Sequence, residues 1–260
     1  MKRRFKALLG WIAFHSGLYQ RFFRNRAVVV LFHRVDDRHR GKPLTCTPAE
    51  FAAFLRFFRR FFCVVPLKEL LARLRDGESL SGHLTITFDD GYLDNHRSAA
   101  PELRRYELPA CFFVVTELIA SERVTPWDAD QGISSEWMNW DHVRSLRAQG
   151  FEIGSHTMNH VDLGIVAGEE ALHEIIGSKH RLERELSSPV PFFAYPFGHK
   201  DQITEENRKL VEEAGYTCCL SSYGGSVVLG DAPFHLKRTP VSSWHISPYQ
   251  FGFETMLEKN

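Results

Sequence analysis

The chain has 260 residues, 43% hydrophobic and 25% charged, enough to bury one sizeable core and too apolar for a disordered segment. Lys plus Arg and Asp plus Glu both number 32, so there is no overall basic field to attract nucleic acid. Five cysteines, at 46, 63, 111, 218 and 219, include no C-x-x-C pair; this excludes a zinc or redox site of that type, favours a reducing compartment, and predicts buried thiols, with Cys63 and Cys111 in apolar runs.

Residues 1–26 are locally basic, through Lys2, Arg3, Lys6, Arg21, Arg24 and Arg26. The run 7–19 imitates a signal peptide, but it holds His15 and Ser16 and lacks a small-x-small cleavage site, so cleavage is not expected. It is also shorter than the roughly 20 apolar residues of a crossing. Phe5, Leu8, Leu9 and Ile12 fall on one helical face, which reads equally as an interfacial amphipathic helix giving peripheral membrane contact or as a helix closing the bottom of the fold. A cytoplasmic chain, free or associated with the inner face of the membrane, is the expectation.

From residue 27 onward strand and helix patterns alternate. Apolar runs at 27–32, 62–65, 84–88, 110–115, 151–154, 192–195 and 216–220 are short, rich in β-branched and aromatic residues, and bounded by turn formers. Between them, Thr47-Pro48-Ala49-Glu50 spells a capping box, followed by the stripe Phe51, Phe54, Leu55, Phe58. Further helices read at 94–106, 139–149, 169–186 and 204–214. Serial βα units with near-continuous apolar strands predict an α/β fold with a parallel sheet curled into a barrel, a single domain over 27–245 with a C-terminal helix at 246–260. The segment 117–137, with Trp127, Asp128, Asp130 and Trp137, reads as an irregular loop that shapes substrate choice.

Chemistry gathers at strand ends. Asp89-Asp90-Gly91 closes the run 84–88, and His156 and His160 follow in Ser155-His156-Thr157-Met158-Asn159-His160. Two carboxylates and two imidazoles supply three metal ligands and leave one acid over, the inventory of a catalytic metal site with an open position. His33, Asp89-Asp90, Ser155-His156 and Pro196-Phe197 each come just after a strand, on the side where such barrels place their active sites.

Thr87-Phe88-Asp89-Asp90-Gly91-Tyr92, then His156 to His160, then Phe193-Ala194-Tyr195-Pro196-Phe197-Gly198 resemble the successive motifs of the polysaccharide deacetylase family, the carbohydrate esterases with a NodB homology domain. The likeness runs from about Val28 to Val241. It implies a distorted (β/α)7 barrel and a metal-dependent hydrolase that removes acetyl groups from a sugar amide or ester, with an acetylated glycan of the cell envelope or capsule, or its precursor, as partner. On this resemblance Asp89 is the general base, and Asp90, His156 and His160 bind the metal. Zinc is the leading candidate, with cobalt, nickel and iron(II) also suited. The Phe197 N–H donates to the oxyanion. Tyr195 and Phe197 read as groove lining or as barrel packing, and His33 as shaping the substrate site or as structural; Trp127 is placed with the substrate-binding residues.

Two departures stand out. Ala194 occupies the position where the family often carries an arginine that orients the base; Arg238 is the candidate replacement, against its reading as an ordinary surface residue. No clear Leu-x-His motif supplies a general acid, and His245 and His235 are the nearest by position. An ester needs less acid assistance than an amide, so N- and O-deacetylation both stay open. An amidase for formyl or ureide groups and a glycan-binding pseudoenzyme are the alternatives; the sugar and the oligomeric state are not specified by the sequence.

Overall fold

The computed structural model describes residues 1–258; 259–260, the end of the segment expected to be helical, lie outside the described residues. Each of the seven apolar runs contains a strand: β1 (Arg26–Phe32), β2 (Cys63–Val64), β3 (His83–Phe88), β4 (Cys111–Val114), β5 (Glu152–Ser155), β6 (Phe192–Ala194) and β7 (Cys218–Leu220). A further two-residue strand, β8, covers Thr239–Pro240. The parallel order is β1-β3-β4-β5-β6-β7. β1 runs beside the whole of β3, from Ala27↔His83 to Phe32↔Phe88, so β2 pairs only with His83 and Leu84. Leu236 bridges to Leu220 of β7, and β8 lies parallel to Val30 and Leu31 of β1, so segment 236–240 leads from the last strand back to the first. The fold is a single α/β domain with a curled parallel sheet, a distorted (β/α)7 barrel. Ala27 to Phe32 are all at most 1% exposed, as expected of a parallel strand covered on both faces.

One expectation fails here. Cys63 is exposed, whereas Cys46, Cys111, Cys218 and Cys219 are buried free thiols. The reason lies in β2, whose two residues sit at the N-terminal corner of the sheet, where Cys63 has only His83 beside it.

The α-helices of six or more residues are α1 (Lys2–His15), α2 (Pro48–Phe61), α3 (Leu67–Asp76), α4 (Ala100–Arg105), α5 (Trp140–Ala148), α6 (Gly168–Leu186), α7 (Glu205–Glu213) and α8 (Pro248–Leu257). α2 begins with the capping box read from the sequence: the Glu50 N–H donates to Thr47 Oγ1 at 3.2 Å and the Thr47 N–H to Glu50 Oε2 at 2.8 Å. Phe51, Phe54, Leu55 and Phe58 are buried, and Phe51 and Phe54 meet Phe32 of β1 edge-on. α4 is preceded by a π-helical turn, Asn95–Ala99.

α3 was not anticipated. Its first turn has no capping side chain of its own; instead Glu152 of β5 accepts the N–H groups of Leu67 and Lys68 at 2.7 and 3.1 Å. That carboxylate satisfies two orphan donors and faces the positive end of the helix. α1 packs on α8 and α2, with the Phe14 ring 4.7 Å from Phe57 and 5.1 Å from Phe61. The turn after it reaches the foot of the sheet, where the Phe23 carbonyl accepts the Gly82 N–H. α8 starts at Pro248, since Ser247 accepts the Gln250 N–H as its cap.

Candidate active site

Two strand ends supply four charged or metal-ligating side chains. After β3 the chain turns at Asp89-Asp90-Gly91, with Asp90 at φ +74° and Gly91 at φ +93° and the Gly91 N–H donating to the Asp89 carbonyl at 3.0 Å. A Cβ on Gly91 would lie 3.1 Å from Ile119 Cδ1, so glycine is needed there for both conformation and space. After β5, Thr157 (φ +65°) and His160 (φ +58°) also take left-handed backbone. Such residues persist where their surroundings over-determine them. Here Glu174 of α6, 5% exposed, does so: its Oε2 accepts the N–H groups of Met158 and Asn159 at 2.9 and 2.8 Å, and its Oε1 the Asn159 side chain at 2.8 Å.

The two strand ends meet over Asp90. Its Oδ1 lies 3.4 Å from His160 Nε2 and 3.6 Å from His156 Nε2, and the ligand atoms of the three residues all fall within 4.8 Å of one another. That same oxygen is buried and accepts no hydrogen bond. Burial, and then the like charge of Asp89, push the Asp90 carboxyl well above its usual range, so its anionic form calls for a cation. His156 Nδ1 lies 2.8 Å from the Ala194 carbonyl; assigning the proton to Nδ1 on that contact leaves the Nε2 lone pair free. Burial holds His156 below its normal pKa and His160 well below, so both imidazoles are neutral. One carboxylate with two neutral imidazoles fits a divalent ion.

Asp89 is held by Arg238. The two guanidinium nitrogens donate to Oδ1 and Oδ2, both at 2.7 Å, while Nε donates to the Ser221 carbonyl at 2.6 Å. Arg238 is 0% exposed, which sets aside its reading as a surface residue. It comes from just before β8, whereas Ala194 ends β6. Burial alone would raise the Asp89 pKa, but the charge and hydrogen bonds of Arg238 oppose it, and Asp89 is held below the usual carboxylate range. Phe197 sits at φ +59° inside a tight turn, with the Gly198 N–H donating to the Pro196 carbonyl at 2.6 Å. Among the described residues no acceptor engages the Phe197 N–H.

A family model described as polysaccharide deacetylase matches residues 76–219, a span that contains Asp89, Asp90, His156, His160 and Phe197. The chain belongs to the polysaccharide deacetylase family. YxkH of Bacillus subtilis, named as a candidate polysaccharide deacetylase, is 23% identical over 216 residues, 82% of this chain and 71% of its own length. Among solved structures, the deacetylase PplD of Streptococcus pyogenes in complex with acetate superposes with TM-score 0.75 at 19% identity, over 90% of this chain and 99% of its own. IcaB from Ammonifex degensii gives 0.73 at 22%, over 87% and 97%. These likenesses carry the fold.

In this deacetylase-family chain Asp90, His156, His160 and Asp89 open on a cavity of about 250 Å³ walled by His33, Trp127, Tyr195, Phe197 and His199 among others. Burial, chiefly, lowers the His33 pKa to about 3, and its Nδ1 has no partner. Tyr195 touches the cavity but is 1% exposed and packs edge-on to Phe193. Trp127 lies in a short helix, Pro126–Ala129, so segment 117–137 is not irregular throughout. Its ring centroid is 4.3 Å from that of His160, and its Nε1–H donates to Tyr92 Oη at 2.9 Å.

Beneath Trp127, Arg34 and Asp128 form an ion pair with each side chain 1% exposed, to which Tyr92 and Ser135 also donate. Sequence reading missed that pair, because 94 residues separate its partners. It also missed His199, although the position lies two beyond Phe197. His235 pairs with Tyr223 away from the cavity. His245 lies 3.4 Å from Glu254 and lines an adjoining groove that shares His199 and Ser222 with the cavity.

Proposed function

We propose that the protein is a divalent-metal-dependent deacetylase acting on an N- or O-acetylated sugar of a cell-envelope or capsular polysaccharide or its precursor. The observation that carries this reading is the buried, unpartnered Asp90 Oδ1 facing two imidazole nitrogens, beside a second carboxylate paired with arginine. Asp90, His156 and His160 would hold the ion. When bound, it supplies positive charge that polarises an acyl carbonyl and acidifies water. Zinc fits the donor set, as do cobalt, nickel and iron(II).

The remaining work falls to the chain's own residues. Asp89, kept anionic and fixed in direction by Arg238, takes the proton of the attacking water on a carboxylate oxygen; Oδ2 is 3.6 Å from His156 Nε2, at the edge of the ligand cluster. The Phe197 N–H, aimed by the tight turn, donates to the oxyanion. Trp127 and Phe197 offer ring faces and edges around His160 that suit a sugar ring, and neutral His33 lines the same cavity. Acetate bound by PplD is consistent with an acetyl-sized product in a site of this fold.

The test is acetate release from N-acetylglucosamine oligosaccharides and from O-acetylated glycans, with and without added zinc or cobalt. The reading predicts metal-dependent acetate from at least one class. Hydrolysis of a formamide or cyclic ureide assayed alongside, with no acetate from either acetylated class, would replace it with the amidase reading, and glycan binding without any hydrolysis with the pseudoenzyme.

A further inference from the structure

The apolar stripe of α1 faces the wrong way for a helix that merely completes a core. Its inner side is fixed against α8: a Cβ on Gly10 would lie 2.0 Å from the Tyr249 carbonyl oxygen, Ala13 and Phe14 are buried, and Lys6 Nζ pairs with Glu254 at 2.8 Å. With the rotation of the helix thus fixed, Phe5, Leu8 and Ile12, spaced three and four apart, lie on the opposite side. They are 60, 55 and 48% exposed. A helix on the surface of a soluble domain ordinarily turns a polar side outward; α1 buries Ala13 and Phe14 and presents apolar side chains outward as well.

The charge around this stripe is equally one-sided. Residues 1–26 hold seven Lys or Arg and no Asp or Glu, although the whole chain is balanced at 32 of each. One indole, Trp11, borders it at 49% exposure, and a second, Trp244, equally exposed, lies at the N-terminal end of the helix on the α8 side. The Arg3 guanidinium stacks 3.4 Å over the Trp244 ring, and Arg3, Arg4 and Lys2 line a cleft of about 470 Å³ against Trp244 and Ile246. Apolar stripe, flanking cations and tryptophan at the boundary are the requirements of a helix lying in an anionic lipid interface. Among the described residues no helix is long and apolar enough to cross a membrane.

We propose that the outer face of α1, with the cations of its first turn, docks the folded domain on an anionic bilayer surface. Charge complementarity selects the bilayer over a second copy of the chain, since pairing two such faces would bring two sets of cations together. The inference rests on α1 and its surroundings and does not depend on the deacetylase reading.

The test is co-sedimentation of the full chain with phosphatidylglycerol-containing vesicles and with pure phosphatidylcholine vesicles, beside the variants Leu8→Gln/Ile12→Gln and Arg3→Gln/Arg4→Gln. Circular dichroism would check that the variants fold, and size exclusion would give the oligomeric state. The expected result is binding to the anionic vesicles at least about tenfold stronger than to neutral ones, weakened by salt, and reduced at least about tenfold in each folded variant. Absence of binding to anionic vesicles, or undiminished binding by both variants, would overturn the proposal. A dimer that Leu8→Gln/Ile12→Gln converts to monomer would overturn it in favour of a protein interface.

Discussion

Asp89→Asn should lower turnover by about 10²- to 10⁴-fold, the range for loss of a positioned general base, while leaving metal content unchanged. The substitution preserves shape and removes the charge that accepts the proton. It leaves Asp90, His156 and His160 in place, so steady-state acetate release and elemental analysis on the same preparation separate the two carboxylates. A variant that lost its ion together with its activity would make Asp89 a ligand and leave the base unassigned.

Arg238→Met should cost about 3–5 kcal/mol of folding stability, the usual consequence of leaving one partner of a buried pair charged and alone. Both groups are at most 2% exposed, so solvent cannot replace the lost contact. Denaturant unfolding would measure the loss, and the double variant Asp89→Asn/Arg238→Met should recover part of it, because no unpaired charge is left. The pH dependence follows from the direction of the Asp89 shift. A carboxyl held below its unfolded value contributes stability that is complete above about pH 4 and is lost as pH falls through the lower folded value. Removing Arg238 leaves burial unopposed and raises the Asp89 pKa. The deficit of the single variant should therefore be largest at neutral pH and shrink on acidification. Additive losses in the double variant would place the destabilisation elsewhere.

The sequence disclosed what is local or repetitive. The seven apolar runs became the sheet, because length and flanking turn formers separate short buried strands from helices, and Thr47 and Glu50 declared the start of α2 three residues apart. The Asp and His motifs were legible for the same reason, each being a strand end followed by a tight turn. What stayed hidden depends on partners far along the chain. Glu152 caps α3 across 85 residues, and Arg34 meets Asp128 across 94. Glu174, the anchor of the histidine loop, reads in sequence as one more acid on a polar helix face. Arg238 is legible in sequence only as a cation that could replace the arginine absent at Ala194; the fold alone brings two of its nitrogens onto Asp89. Cys63 was misjudged because an apolar run does not reveal which strand will be left at a corner.

The most direct test of the account is metal content, by elemental analysis of purified wild type beside Asp90→Ala and His156→Ala/His160→Ala after mild reloading with zinc or cobalt. The account predicts about one ion per chain in wild type and its loss in both variants. Folded wild type that takes up no ion, or an ion that survives both substitutions, would contradict it.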